Sequence, residues 1–211
     1  MSEPAVTGNR RIAVLVSGRG SNLQALIDAI AAGRLHAAIA VVVSNIAGAP
    51  ALARAEAAGI ATEVISHRDF TTREAFDRRL AAVIRPRGVA LVCLAGFMRR
   101  LSPTFLDAVG VPVLNIHPAL LPAFPGVDAA AQAVAHGVRV SGCTVHFVTP
   151  ELDAGPIVAQ AAVPVGSDDT AEALGARILV EEHRLYPDAV QRILDGGWRI
   201  DGRRVVELTR V

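Results

Sequence analysis

Ile12-Ala13-Val14-Leu15-Val16 is followed directly by Ser17-Gly18-Arg19-Gly20-Ser21-Asn22 and then by Leu23. The first five residues are a compact apolar run of strand length. Leu23, Leu26, Ile27 and Ile30 then recur on one stripe, as in an amphipathic helix. Ser21 and Gln24 have capping-box spacing, which predicts a helix start near Asn22. Strand, glycine turn and helix in that order is the opening unit of a parallel α/β sheet. A glycine-rich turn at that place points free backbone amides, and the positive end of the helix dipole, at one spot. Gly18, Arg19, Gly20, Ser21 and Asn22 therefore read as a phosphate site, or else as a tight turn without a ligand.

A dinucleotide is the obvious rival occupant. The pattern lacks a third glycine, and the next strand, Ala38 to Val43, ends in Ser44-Asn45 rather than in an acidic residue that would hold a ribose. Both points argue against a nicotinamide cofactor and for a single phosphate monoester.

Outward from this unit the alternation continues. Pro50 to Ala58 reads as a helix opened by proline and stopped by Gly59, and Ala61 to Ile65 as a third strand. Thr71 and Glu74 have capping-box spacing ahead of a helix with Phe76, Leu80, Val83 and Ile84 inward. Val89 to Ala95 is unbroken apolar sequence, as a central strand covered on both faces should be. Val111 to Ile116, Gly142 to Val148 and Ile157 to Val165 supply further strands. Thr170 to Glu182 reads as a helix that Pro187 interrupts or restarts. Asp201-Gly202 is a two-residue hairpin signal within a terminal segment. The expectation is one domain over 11–211, a doubly wound, mostly parallel sheet with helices on both faces and a small C-terminal hairpin. Residues 1–10 are polar and read as a frayed tail.

Composition narrows the class. The 211 residues are long enough for one sizeable core. Hydrophobic content is 52%, yet the apolar runs are strand-length and well below the ~20 residues of a spanning helix. No basic-then-apolar signal segment opens the chain, and the two cysteines, read as buried free thiols, fit a reducing cytoplasm. A net charge of +1 provides no field to attract nucleic acid. Cys93 and Cys143 sit inside apolar strands without metal-ligand spacing, so they read as buried free thiols, and no metal is expected.

The chemistry gathers between Leu114 and Asp153. Leu114-Asn115-Ile116-His117-Pro118 ends a strand, because proline lacks the amide hydrogen a ladder needs. Asn115 and His117 are two apart, so their side chains leave an extended chain on the same face. Asp153 lies in the loop beyond the next strand. Both positions read as carboxyl ends, the edge at which parallel sheets bind ligands. An amide, an imidazole and a carboxylate suit nucleophilic attack on a carbonyl: Asn115 and His117 stabilise the oxyanion, and Asp153 helps carry the proton away. Each alone also has a bland role, as a turn cap, a structural histidine or a loop residue. Phe97, Met98 and Leu101, after the central strand, read either as an apolar slot or as plain core, with Arg99 able to meet an acid.

Leu114-Asn115-Ile116-His117-Pro118-Ala119-Leu120-Leu121-Pro122, Thr144-Val145-His146-Phe147-Val148 and Glu151-Leu152-Asp153-Ala154-Gly155-Pro156 together resemble the glycinamide ribonucleotide transformylase family. The resemblance runs from about Arg11 to about Ala189. It implies transfer of a formyl group from 10-formyltetrahydrofolate, a co-substrate, to the amine of glycinamide ribonucleotide in purine synthesis. It further implies that Phe97, Met98, Arg99, Arg100, Leu101, Leu152, Ala154 and Gly155 face the folate, and that Glu182 accepts hydrogen bonds from the ribose hydroxyls. On this reading Asn115, His117 and Asp153 are catalytic. The nucleotide part falls at about 11–100 and the catalytic and folate part at about 96–195, in a monomer or homodimer.

Two departures stand out. Val127-Asp128-Ala129-Ala130-Ala131 replaces the histidine-bearing sequence usual after Phe124-Pro125-Gly126, and Arg100 stands where an aliphatic residue is usual. Both bear on the acceptor more than on the use of formyl-folate. The alternatives are a formyltetrahydrofolate hydrolase, for whose regulatory domain there is no room before Ile12, and a non-catalytic phosphate- or folate-binding relative. Transfer to methionyl-tRNA calls for a further C-terminal domain and a basic surface, which the sequence does not offer.

Overall fold

The computed structural model describes residues 8–208. Fifteen regular elements follow one another: strands β1 (Arg11–Val16), β2 (Ala38–Ser44), β3 (Thr62–Val64), β4 (Leu91–Leu94), β5 (Val113–His117), β6 (Val140–Phe147), β7 (Ile157–Pro164), β8 (Trp198–Asp201) and β9 (Arg204–Glu207), and helices α1 (Ser21–Ala31), α2 (Pro50–Ala57), α3 (Arg73–Ile84), α4 (Pro103–Val109), α5 (Ala129–His136) and α6 (Ala171–Asp195). The strands form a single nine-stranded sheet in the order β3-β2-β1-β4-β5-β6-β7-β9-β8. From β3 to β5 every pairing is parallel. β6 runs antiparallel to both of its neighbours, and the β8–β9 hairpin joins through β9.

Alternation along the strands sorts their side chains onto two cores. Ile12, Val14, Leu91, Cys93, Leu114 and Ile116 face one side and pack with Leu23 and Leu26 of α1 and with Leu174, Ile178 and Tyr186 of α6. Ala13, Leu15, Val92, Leu94 and Val113 face the other and pack with Phe76, Leu80 and Ile84 of α3 and Phe105 of α4. This two-sided covering is the doubly wound, mostly parallel arrangement the alternation predicts. Each fully buried aliphatic or phenyl side chain contributes about 1.5–3 kcal/mol relative to exposure. Tyr186, fully buried, shares its hydroxyl proton between the carbonyls of Leu94 (3.0 Å) and Leu114 (3.3 Å), tying α6 to the two central strands. Both thiols are free and buried, and burial pushes each up to about 12.

Several local expectations are corrected. Residues 1–7 lie outside the described residues, but the remainder of the proposed tail is anchored. Asn9 Nδ2 donates to Gly88 O (2.7 Å), and Arg10 pairs with Asp195 (2.9 Å). The N-cap of α1 is Gly20, not Ser21, and no side chain caps it; Gln24 instead donates to Asp28 (2.8 Å). Thr72 rather than Thr71 caps α3, accepting from the Ala75 amide at 3.1 Å. Pro187 does not break α6, which runs unbroken for 25 residues. Proline removes one helical hydrogen bond, but Leu185, Tyr186, Ala189 and Val190 are buried on both sides of it, so packing holds the two halves in line.

Candidate active site

The antiparallel setting of β6 decides how the site is built. Leu114 stands opposite Phe147 and His117 opposite Thr144, so the carboxyl end of β6 lies beside the start of β5, not beside its end. The expectation that Asp153 and His117 extend from adjacent carboxyl ends is therefore corrected. The 148–156 loop folds back across the sheet face, closed at its base by the Phe147 amide on Pro156 O (2.9 Å) and the Val148 amide on Val113 O (2.8 Å). Gly155 makes the return possible: a Cβ there would lie 1.8 Å from the Phe147 carbonyl oxygen.

On one face of β5 and β6 stand Asn115, His117, Thr144 and His146, with Asn115 directly opposite His146. Asp153 meets them from the loop, its Oδ2 3.5 Å from His117 Nδ1 and its Oδ1 3.7 Å from His146 Nε2. The Gly126 amide donates to Asp153 Oδ2 at 2.8 Å. His117 is 4% exposed and His146 2%.

Carbonyl partners assign the imidazole protons, since a carbonyl can only accept. His146 Nδ1 lies 3.0 Å from Phe147 O and so carries a proton, leaving Nε2 as the acceptor for Asn115 Nδ2 at 3.2 Å. Burial lowers the pKa of His146, keeping it neutral with that lone pair available. Its approach to Asp153 is accordingly not an ion pair. His117 Nε2 lies 2.8 Å from Phe124 O and likewise carries a proton. Its Nδ1 faces the carboxylate at a distance too long for a committed hydrogen bond. Asp153 and His117 thus form a loosely joined acid–base pair, while Asn115 is aimed by a neutral neighbour. Phe124, Asp128 and Asp153 all take left-handed φ values (51°, 55° and 49°), each a local strain held by the surrounding fold.

Thr144 and His146 were missed in the sequence. The available signal was their spacing of two inside an apolar strand, which sets both on one face, as for Asn115 and His117. Thr144 Oγ1 donates to Ala119 O (2.7 Å) and accepts from the Leu121 amide (3.0 Å), fixing the turn that follows His117.

At the β1–α1 turn, Gly20 is left-handed (φ 74°) and packs on α2, so close that a Cβ would lie 2.6 Å from that of Ala51. The Gly18 and Arg19 carbonyls accept from the Ala51 amide (3.1 Å) and Arg54 Nε (2.9 Å). With no side chain capping α1, its first-turn amides are left for an acceptor. Asn22 Nδ2 donates to Glu182 Oε2 at 2.8 Å, while Asn22 Oδ1 is buried without a partner. Burial raises the pKa of Glu182. The structure thus joins the turn to the carboxylate assigned by resemblance to the ribose.

The residues expected to face the folate divide. Met98 (69% exposed) and Leu152 (49%) present open apolar surface. Phe97 and Leu101 belong to the second core and close it beneath the turn after β4. Arg99 is half-buried, and Arg100 donates to Pro150 O (3.0 Å), bridging this turn to the Asp153 loop. Ala154 is half-buried and Gly155 buried in that loop. Among the described residues, no group of three or more His, Cys, Asp or Glu is placed to hold a metal ion, and no helix is long and apolar enough to cross a membrane. A separate cavity of about 330 Å³, lined by Asp188, Arg192, Trp198 and Glu207 among others, contains none of these residues.

Known proteins resemble this chain along most of its length. A family model described as formyl transferase matches residues 10–190. The phosphoribosylglycinamide formyltransferase of Escherichia coli is 44% identical over 202 residues, covering 92% of this chain and 95% of its own length. The trifunctional purine biosynthetic protein adenosine-3 of Bos taurus is 47% identical over 190 residues, covering 90% of this chain. The chain spans only about a fifth (19%) of that protein's length. Among solved structures, glycinamide ribonucleotide transformylase 1 from Symbiobacterium toebii superposes with a TM-score of 0.93 at 50% identity, covering 95% of each chain. The chain belongs to the formyl transferase family, and within it to the phosphoribosylglycinamide formyltransferases.

Proposed function

We propose that this chain transfers the formyl group of 10-formyltetrahydrofolate to the amine of glycinamide ribonucleotide. The observation that carries the reading is the meeting of Asn115, His117, His146 and Asp153 on one sheet face in a chain of this family. The ribonucleotide phosphate rests on Gly18 to Asn22 and its ribose on Glu182. The folate lies against Met98 and Leu152, between the 97–101 turn and the Asp153 loop.

The amine lone pair attacks the formyl carbon, and the C=O electrons move onto oxygen. Asn115 Nδ2–H stabilises that oxyanion, such a donor being worth about 3 kcal/mol of barrier, and His117 adds a second through Nδ1–H when the ring carries both protons, its Nε2–H being held by Phe124 O. The nitrogen sheds a proton to Asp153 through water, and the same proton is passed on to the folate nitrogen, so that the C–N bond breaks, the carbonyl re-forms and tetrahydrofolate leaves. No acyl-enzyme is required, because a positioned amine is nucleophile enough. Neither thiol competes as a nucleophile, since both are buried and protonated.

The nucleotide part at about 11–100 and the catalytic and folate part at about 96–195 are two regions of one proposed domain. The enzyme acts in the cytoplasm on small molecules, as a monomer or homodimer. The deciding experiment follows deformylation of 10-formyltetrahydrofolate with and without glycinamide ribonucleotide. Acceptor-dependent release is expected. Acceptor-independent release identifies a hydrolase, and no release identifies a binding protein.

A further inference from the structure

Ser17 is the residue between β1 and the phosphate turn, and its hydroxyl is committed twice. Oγ accepts the backbone amide of Met98 at 2.8 Å and donates to Asn45 Oδ1 at 2.5 Å. Asn45, 4% exposed, passes the chain on through its Nδ2 to His67 Nδ1 at 3.2 Å. Four residues from neighbouring loops are so linked: those following β1, β2, β3 and β4, strands that are themselves adjacent in the sheet. A hydroxyl has a single proton to give. Asn45 takes it, which turns the oxygen lone pairs toward Met98.

Ser17 is thereby bonded covalently to Gly18, where the phosphate turn begins, and by hydrogen bond to Met98, the most exposed apolar residue of the folate-facing turn. A displacement of the Met98 backbone reaches Gly18 through one side chain and one peptide.

We infer that Ser17 is a positioning residue that couples the two substrate subsites: ordering of either turn by its ligand orders the other through the Ser17 hydroxyl. This rests on the function proposed above, in which one ligand lies on each turn. A ligand that pays part of the ordering cost of a shared element makes the second ligand bind more tightly, and the effect is reciprocal.

The test uses glycinamide ribonucleotide with folic acid, which carries no formyl group and cannot react, titrated calorimetrically on the whole chain. Saturating ribonucleotide is expected to tighten folic acid by about fivefold or more, and folic acid to tighten the ribonucleotide by the same factor. Ser17→Ala brings that factor close to one, and Ser17→Thr, which keeps a hydroxyl, restores it. A residue that only supported the fold would weaken each ligand without changing their mutual factor. Should Ser17→Ala not fold, Ser17→Cys replaces it, since a thiol is a weak donor and acceptor. Independent binding in the wild type, or a wild-type factor in the alanine or cysteine variant, overturns the coupling alone. Failure of the wild type to bind either ligand overturns the proposed function, and the coupling with it.

Discussion

The amide nitrogen of Asn115 lies 3.2 Å from Nε2 of His146, its direct partner across the antiparallel β5–β6 pair. The neutral imidazole therefore sets which way the amide points, and with it the direction of the proposed oxyanion donor. Asn115→Ala is expected to lower kcat by about 10²–10³-fold, the usual loss of such a donor. His146→Phe removes the acceptor that aims it, along with the ring's own bond to Phe147 O, and is expected to cost about tenfold or more, within that ceiling.

The same histidine marks an acid limb in stability. Its pKa is lowered in the folded protein, chiefly by burial, so on acidification the unfolded chain takes up a proton before the folded one does. Stability is therefore held above the ordinary histidine value of about 6.5 and lost as pH falls from there toward the folded value. Thermal melts of the wild type across that window should show this decline, and His146→Phe should flatten it. Equal slopes for the two proteins would exclude His146 as its source.

His117→Ala and Asp153→Asn are each expected to reduce turnover by about 10²–10⁴-fold, with little effect on folding. Because the two face one another at 3.5 Å, their losses should not add: the double variant should be little slower than the worse single one. Full activity in either single variant would refute the roles assigned to them.

Glu182 should show opposite effects on stability and binding. Burial raises its pKa, so the folded protein keeps the proton to higher pH than the unfolded chain, and stability is lost as pH rises through the folded value. Glu182→Gln preserves an acceptor for Asn22 without the charge. It should melt higher than wild type at neutral pH, yet bind the ribonucleotide more weakly. A lower melting temperature at neutral pH would contradict the assignment.

Gly20→Ala should weaken the proposed ribonucleotide site through the backbone. The residue has φ 74°, and its new Cβ would lie 2.7 Å from the Ala51 Cα. Left-handed strain costs about 1–2 kcal/mol and overpacking about 1–3 kcal/mol, so the turn must shift. The expected result is a raised KM for glycinamide ribonucleotide and a lower melting temperature.

The parallel half of the sheet was legible because strand and helix alternate there with punctuation at each joint, as in the run from Ile12 to Leu23. The direction of β6 was not, because Ser141 to Phe147 are all buried and a strand covered on both faces shows no alternation to separate parallel from antiparallel. α5 escaped notice since an alanine-rich turn of chain starting at Ala129 carries a weak apolar stripe and no capping side chain. Pro187 misled because local propensity yielded to packing around Tyr186. At the site, Asn115, His117 and Asp153 were legible as polar groups beside turn-forming residues. His146 was concealed by a strand that otherwise reads as core, and its part follows only from which residue stands opposite it.

The interior thiols have a practical consequence for watching this enzyme work. Cys93 and Cys143 are the only cysteines in the sequence, and both are inaccessible and hold their protons up to about pH 12. A cysteine introduced at an exposed position such as Glu151 would therefore be the one sulfur open to maleimide chemistry. A fluorophore or spin label could report movement of the segment bearing Asp153 without first stripping the native cysteines from the protein.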